Sequence, residues 1–163
     1  MVLLKLQGLG FELVPKGGFG PHDIEARRPP GGPWRRIEVK TSRWKNEGLR
    51  DPDGRNIHYW GWLVKDRKQR DLRFDHLVCV AEIKGETRAA RFFVFTREEA
   101  NSQPSLLPRP GVKPANVEKK IDLFENETEF ERAREVDHEL FSSLEAALNR
   151  NPSAFEDAWG KIQ

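Results

Sequence analysis

Gly20-Pro21-His22-Asp23-Ile24-Glu25-Ala26-Arg27-Arg28, then Pro29-Pro30-Gly31-Gly32-Pro33, then Trp34-Arg35-Arg36-Ile37-Glu38-Val39-Lys40-Thr41-Ser42-Arg43, is the stretch on which the reading of this chain turns. Two short runs alternate in polarity on either side of a Pro/Gly cluster, the pattern of two strands joined by a turn. Side chains two apart on a strand share a face. Asp23 and Glu25 therefore lie on one face of the first strand, and Glu38 and Lys40 on one face of the second. Ile24, Ala26, Ile37 and Val39 point the other way, into a core. The midpoint between Asp23 and Glu38 falls between Pro30 and Gly31, inside the turn. A hairpin folded there sets Asp23 opposite Glu38, with Lys40 one step along the same face.

Two carboxylates side by side repel and raise each other's pKa unless a cation sits between them. Hard divalent ions such as Mg²⁺ are held by one or two carboxylates plus waters and substrate phosphates. A lysine beside them orients a water or offsets charge growing on a phosphate. An acid, an acid and a lysine around a metal form a site suited to phosphodiester hydrolysis.

Asp23, Glu38 and Lys40, spaced as Asp, 14 residues, Glu, any residue, Lys, closely resemble the PD-(D/E)XK nuclease superfamily over about residues 8 to 96. The resemblance implies an α/β, restriction-endonuclease-like fold: a mixed central β-sheet flanked by helices, here with a C-terminal helical element. It implies that Asp23 and Glu38 hold Mg²⁺ (or Mn²⁺), that the Val39 carbonyl is a further ligand, and that Lys40 assists the attacking water. Thr41 and Ser42 follow as small polar residues often do in that family. The chain departs from the pattern in two places. His22 precedes Asp23, with Pro21 one place earlier, and residues 1–10 contain no acid where many members carry one. Either the chain is shortened there, or Glu25 supplies the extra carboxylate, or the site manages with fewer ligands.

Glu-x-Lys alone carries little in a chain that is 33% charged, and it recurs at Glu82-Ile83-Lys84 and Glu118-Lys119-Lys120. Context distinguishes the first copy: a preceding acid on a paired strand, a turn of suitable length and interleaved apolar residues. The structural alternative is a surface hairpin with cross-strand ion pairs.

The 163 residues suffice for one domain with a real core. Residues 1–75 carry 16 Lys/Arg against 10 Asp/Glu, and residues 76–163 carry 12 against 16. A basic half around the candidate site suits a polyanion. Arg36, Arg43 and Lys45 are the expected nucleic-acid contacts; from Arg43 to Trp62 basic residues are interleaved with aromatics such as Trp44 and Tyr59. The single cysteine, Cys79, reads as a buried thiol, so no disulfide framework exists and a reducing cytoplasm is the expected compartment. The apolar N-terminal residues are too few, and too interrupted by Lys5 and Gly8, for a signal peptide or a membrane span. His22, His58, His76 and His138 show no zinc-ligand spacing.

Along the chain, Val2–Gln7 reads as helix and Phe11–Val14 as strand. Residues 46–59 read as a turn-rich loop beside the site, and Trp60–Arg70 as a helix with Trp60, Leu63 and Val64 on one side. Phe74–Ile83 and Arg91–Phe95 read as strands, and Thr96-Arg97-Glu98-Glu99 as a helix cap. These complete a nuclease-like core over residues 1–102. Residues 103–116 form a Pro-rich loop. Residues 117–163 add an edge strand and helices to the same domain: a strand to Phe124, a long helix from Asn126 to about Leu148, and a short one from Pro152 holding Phe155 and Trp159.

The expected function is a metal-dependent endonuclease acting on double-stranded or branched DNA. The alternative is a catalytically idle nuclease-fold module for nucleic-acid binding or assembly, favoured by the missing N-terminal acid. No base-reading module is evident, which leaves loops, a homodimer or a partner protein as the source of specificity.

Overall fold

A computed structural model describes residues 1–16, 22–42, 45–64, 73–82, 90–102, 120–136 and 152–163. The Pro/Gly cluster does turn the chain back on itself. Gly32 N–H donates to the Arg28 carbonyl at 3.0 Å, and Gly31 takes φ 72°, a conformation that costs an L side chain. The turn joins β2 (Ile24–Arg27) to β3 (Arg35–Ser42), antiparallel with Ile24 opposite Ile37 and Ala26 opposite Arg35. This is the register expected from the hairpin midpoint.

Around this hairpin stands a five-stranded mixed sheet. β1 (Glu12–Pro15) pairs antiparallel with β2 on one side. On the other, β3 pairs parallel with β6 (His76–Glu82), which pairs antiparallel with β7 (Ala90–Thr96). The spatial order is β1-β2-β3-β6-β7. β6 reads as nearly continuous apolar sequence because both its faces are covered. Val78 and Val80 join Ile24, Ile37, Val2 and Leu6 of α1 (Val2–Gly8) in one core layer. Leu77, Cys79 and Ala81 face a second layer with Trp60, Trp62, Ile121 and Leu123.

That second layer belongs to a three-stranded antiparallel sheet in the order β4-β5-β8: β4 (Lys45–Arg50), β5 (Asn56–Leu63) and β8 (Lys120–Phe124). Two expectations are corrected here. Residues 46–59 are not a long loop; they are a hairpin whose turn spans Asp51–Gly54. Trp60 and Leu63 are not helical; they lie on β5, with both Trp60 and Trp62 fully buried and Leu63 exposed. The aromatics at 60 and 62 follow the period of a strand, and burying two indoles against β6 outweighs the helical spacing of the basic residues that follow. Trp62 Nε1–H donates to the Val80 carbonyl at 3.0 Å, which locks β5 across β6. Lys65–Arg70 and the Pro-rich loop at 103–116 lie outside the described residues.

Helices cover the sheets. α2 (Arg97–Ser102) opens with the expected capping box: Glu99 N–H donates to Thr96 Oγ1 at 3.2 Å and Thr96 N–H to Glu99 Oε2 at 2.8 Å. α3 (Glu127–Val136) is capped by Asn126 and packs Phe130 and Ala133 onto Ile57, Tyr59 and Phe124. The rest of the long helix expected to Leu148 lies outside the described residues. The C-terminal segment forms two 3-10 turns, Pro152–Ala154 and Trp159–Lys161, where one short helix was expected. It lies along β7, with Val94 N–H donating to the Phe155 carbonyl at 2.8 Å and Trp159 and Ile162 entering the core. Among the described residues no helix is long and apolar enough to cross a membrane.

Candidate active site

Asp23 stands at the bend that leads into β2, and three hydrogen bonds hold it. Its N–H donates to the Ile37 carbonyl at 3.0 Å, its carbonyl accepts the Lys16 N–H at 2.8 Å, and its Oδ2 accepts the Val39 N–H at 2.7 Å. The bonds to Ile37 and Val39 bracket Glu38, so the two acids lie side by side. The N–H and C=O of one strand residue face the same neighbour. The Val39 carbonyl therefore also faces the Asp23 side of β3, beyond the end of the β2 ladder.

Glu38 and Lys40 share one face of β3, beside Leu77 and Cys79 of β6 in the parallel register. The Lys40 ammonium lies against Glu38 Oε1 in an ion pair, with the glutamate side chain only 15% exposed. Burial pushes the Cys79 thiol well above its ordinary pKa, with the Lys40 charge acting in the opposite direction, so it is an inert core group. Of the small polar residues that follow, Thr41 is exposed and Ser42 half-buried.

Glu25 shares the face but is spent on other partners. Its Oε2 pairs with Lys16 Nζ at 2.9 Å and its Oε1 with His22 Nε2 at 3.1 Å. The Lys16 hydrogen bond first, then that of His22, holds its carboxyl below the usual carboxylate range against the opposing effect of burial. His22 is buried, and its Nδ1 has no hydrogen-bond partner among the described residues.

Arg36, expected to meet nucleic acid, forms a fork with Asp75: Nη2 to Oδ1 at 2.9 Å and Nε to Oδ2 at 3.2 Å. The Arg36 backbone N–H adds a third bond to Oδ2 at 2.9 Å, and Arg97 Nη2 shares Oδ1 at 2.9 Å. The Arg36 hydrogen bond chiefly holds the Asp75 pKa down at about 2. The Arg36 side chain nevertheless remains 41% exposed. Lys45 opens β4 opposite Trp60; its side chain, and all of Arg43, lie outside the described residues. Sequence reasoning missed Asp75, Lys16 and Arg97. Asp75 lies 39 residues from Arg36, and no local spacing signals a pairing that only β3–β6 registry creates.

The donor set suits a hard cation: two adjacent carboxylates and a backbone carbonyl, with water and phosphate oxygens to complete the shell. Among the described residues Asp23 Oδ1 and Glu38 Oε2 have no hydrogen-bond partner, so each acid keeps one oxygen for such an ion. No group of three or more His, Cys, Asp or Glu side chains capable of holding a metal occurs among the described residues.

No protein-family model matches the sequence, and no curated protein matches it. Among solved structures, the bacterial homing endonuclease I-Ssp6803I is similar, with a TM-score of 0.53 and 16% sequence identity over 99% of this chain and 83% of that one. At that identity the similarity is one of fold: a five-stranded mixed sheet with helices, shared with a nuclease.

Proposed function

We propose that this chain is a metal-dependent endonuclease of the PD-(D/E)XK type that hydrolyses phosphodiester bonds in double-stranded or branched DNA. The observation that carries the reading is the Asp23–Val39 hydrogen bond, which draws Asp23 beside Glu38 with Lys40 on the same face. The shared fold with a homing endonuclease supports it, as does the excess of Lys/Arg over Asp/Glu in residues 1–75.

Asp23, Glu38 and the Val39 carbonyl would hold Mg²⁺ or Mn²⁺. A divalent cation there neutralises charge on the scissile phosphate and polarises its oxygens. Lys40 donates hydrogen bonds to the attacking water and holds it for in-line approach; its charge offsets the charge growing on the phosphate. Asp23, fixed at its N–H, carbonyl and one carboxylate oxygen, presents the other oxygen without reorganising. Thr41 and Ser42 border the site at the end of β3. Glu25 braces Lys16 and His22 and does not act as a third ligand. Arg36, with Arg43 and Lys45, contacts the phosphate backbone, alone or in a homodimer.

The second reading, an idle nuclease-fold module, draws on Glu25: with both its oxygens engaged, Asp23 and Glu38 are the two carboxylates left for a metal among the described residues. Cleavage assays decide between the two. Plasmid, linear duplex, flap and four-way-junction DNA are incubated with Mg²⁺, Mn²⁺ or EDTA, using wild type, Asp23→Ala and Lys40→Ala. Metal-dependent cutting lost in both variants is expected. Salt-sensitive DNA binding without cutting would move the assignment to the idle module.

A further inference from the structure

Residues 26–37 hold four arginines and no acid, wrapped around the Pro29–Pro33 turn. Two of the four are held against aromatic rings. The Arg27 guanidinium lies 4.7 Å from the Trp34 ring centroid, with its Nε bonded to Glu12 at 2.6 Å. The Arg28 guanidinium lies 4.8 Å from the Phe11 ring centroid. Arg28 is exposed and has no ion pair among the described residues. Trp34 is 41% exposed, an indole left at the surface beside cations.

The turn is stiff. Gly31 sits at φ 72°, and a Cβ on Gly32 would come within 2.6 Å of the Arg28 carbonyl oxygen. The Gly32 N–H bond to the Arg28 carbonyl at 3.0 Å closes the turn, and the Trp34 and Phe11 rings each hold a guanidinium beside it. Cations with an exposed ring form a surface for the sugar-phosphate backbone: guanidinium for phosphate oxygens, indole N–H as a further donor.

The position of the tip matters as much as its composition. Arg36, Glu38 and Lys40 share one face of β3, and Trp34 precedes that strand beside Arg27, whereas Arg28 lies against Phe11 of the layer that holds Ile24, Ala26 and Ile37. Four residues of strand place Trp34 about 13 Å from Glu38, the length of about four base steps of duplex at 3.4 Å each.

We infer that the β2–β3 hairpin tip is a docking element for duplex DNA, in which Arg28 pairs with a backbone phosphate and Trp34 contacts the sugar-phosphate backbone. The location relative to the cut bond rests on the nuclease reading; the binding chemistry does not. Charge complementarity selects a polyanion.

The test is anisotropy of a labelled short duplex in EDTA, titrated with salt, for wild type, Arg28→Ala, Trp34→Ala and the double variant. Circular dichroism and thermal unfolding in EDTA confirm that each variant is folded. Arg28→Ala is expected to lower the slope of log affinity against log salt by about 1, the loss of one phosphate contact. Trp34→Ala is expected to weaken binding about tenfold with the slope unchanged, the scale of one hydrogen bond to a charged group. Unchanged affinity and slope in the double variant overturn the inference, and metal-dependent cutting by wild type would then leave the nuclease reading standing. Arg28-dependent binding by a wild type that never cuts supports the inference and removes the nuclease reading. Loss of self-association or of acidic-polypeptide binding, with DNA binding intact, reassigns the surface and also overturns it.

Discussion

The Asp23 carboxylate accepts the Val39 N–H at 2.7 Å, so one side chain both closes the end of the β2–β3 ladder and stands beside Glu38. Structure and proposed chemistry share this bond, and substitutions can separate them. Asp23→Ala leaves the Val39 N–H unpaired and is expected to lower stability by about 1–3 kcal/mol. Asp23→Asn keeps an acceptor and is expected to stay within about 1 kcal/mol of wild type. Both lose the thermal stabilisation by Mn²⁺. Urea unfolding with and without the metal reads the two effects independently.

Lys40 is assigned to the water and the phosphate. Lys40→Ala is expected to reduce kcat about 10²–10⁴-fold, with a much smaller change in KM. A loss confined to KM would assign Lys40 to DNA binding instead.

Glu25 has both oxygens engaged by Lys16 and His22. Glu25→Gln is therefore expected to leave Mn²⁺ stabilisation close to wild type, whereas Glu38→Gln abolishes it. Calorimetric titration with Mn²⁺ gives the comparison, and equal losses in the two variants would make Glu25 a ligand.

Asp75 sets an acid-stability term. Its carboxyl pKa is lowered from 3.8 to about 2, first by the Arg36 hydrogen bond. A depressed folded-state value stabilises above the unfolded pKa, so the contribution is full above about pH 4 and disappears as pH falls through about 2. Its size is on the order of 1–2 kcal/mol. Asp75→Asn is expected to be less stable at neutral pH and to lose less on acidification. Urea midpoints across that pH range supply the check.

Gly32 cannot take a side chain where it stands, because the new Cβ would lie 2.6 Å from a backbone oxygen. Gly32→Ala is expected to cost about 1–3 kcal/mol, and Gly31→Ala, at φ 72°, about 1–2 kcal/mol. Thermal unfolding of both variants measures this.

Much of the β2–β3 hairpin was legible because its determinants are local. Alternation from Ile24 to Ala26 and from Ile37 to Val39, with Pro and Gly between, leaves one register that turns these four apolar side chains toward the core. The α2 capping box was legible for the same reason: Thr96 and Glu99 are three residues apart and bond each other. The site is partly legible in this sense, since Asp23, Glu38 and Lys40 are placed by that hairpin. The surroundings were not. Lys16 reaches Glu25 through β1–β2 pairing, and Asp75 reaches Arg36 through the junction of β3 and β6.

The sequence by itself determined a turn at Pro29–Gly32, the strands beside it, the face that carries the acids, and a buried β6. Each follows from side-chain period and backbone restriction within a few residues. Only the tertiary structure decided that Trp60 and Trp62 lie on a strand of a second sheet, because their burial against β6 is a contact between distant segments. It also decided that Glu25 is engaged and that Arg36 is forked to Asp75. Those partners are chosen by which strands become neighbours, a property of the whole chain that no short stretch of it encodes.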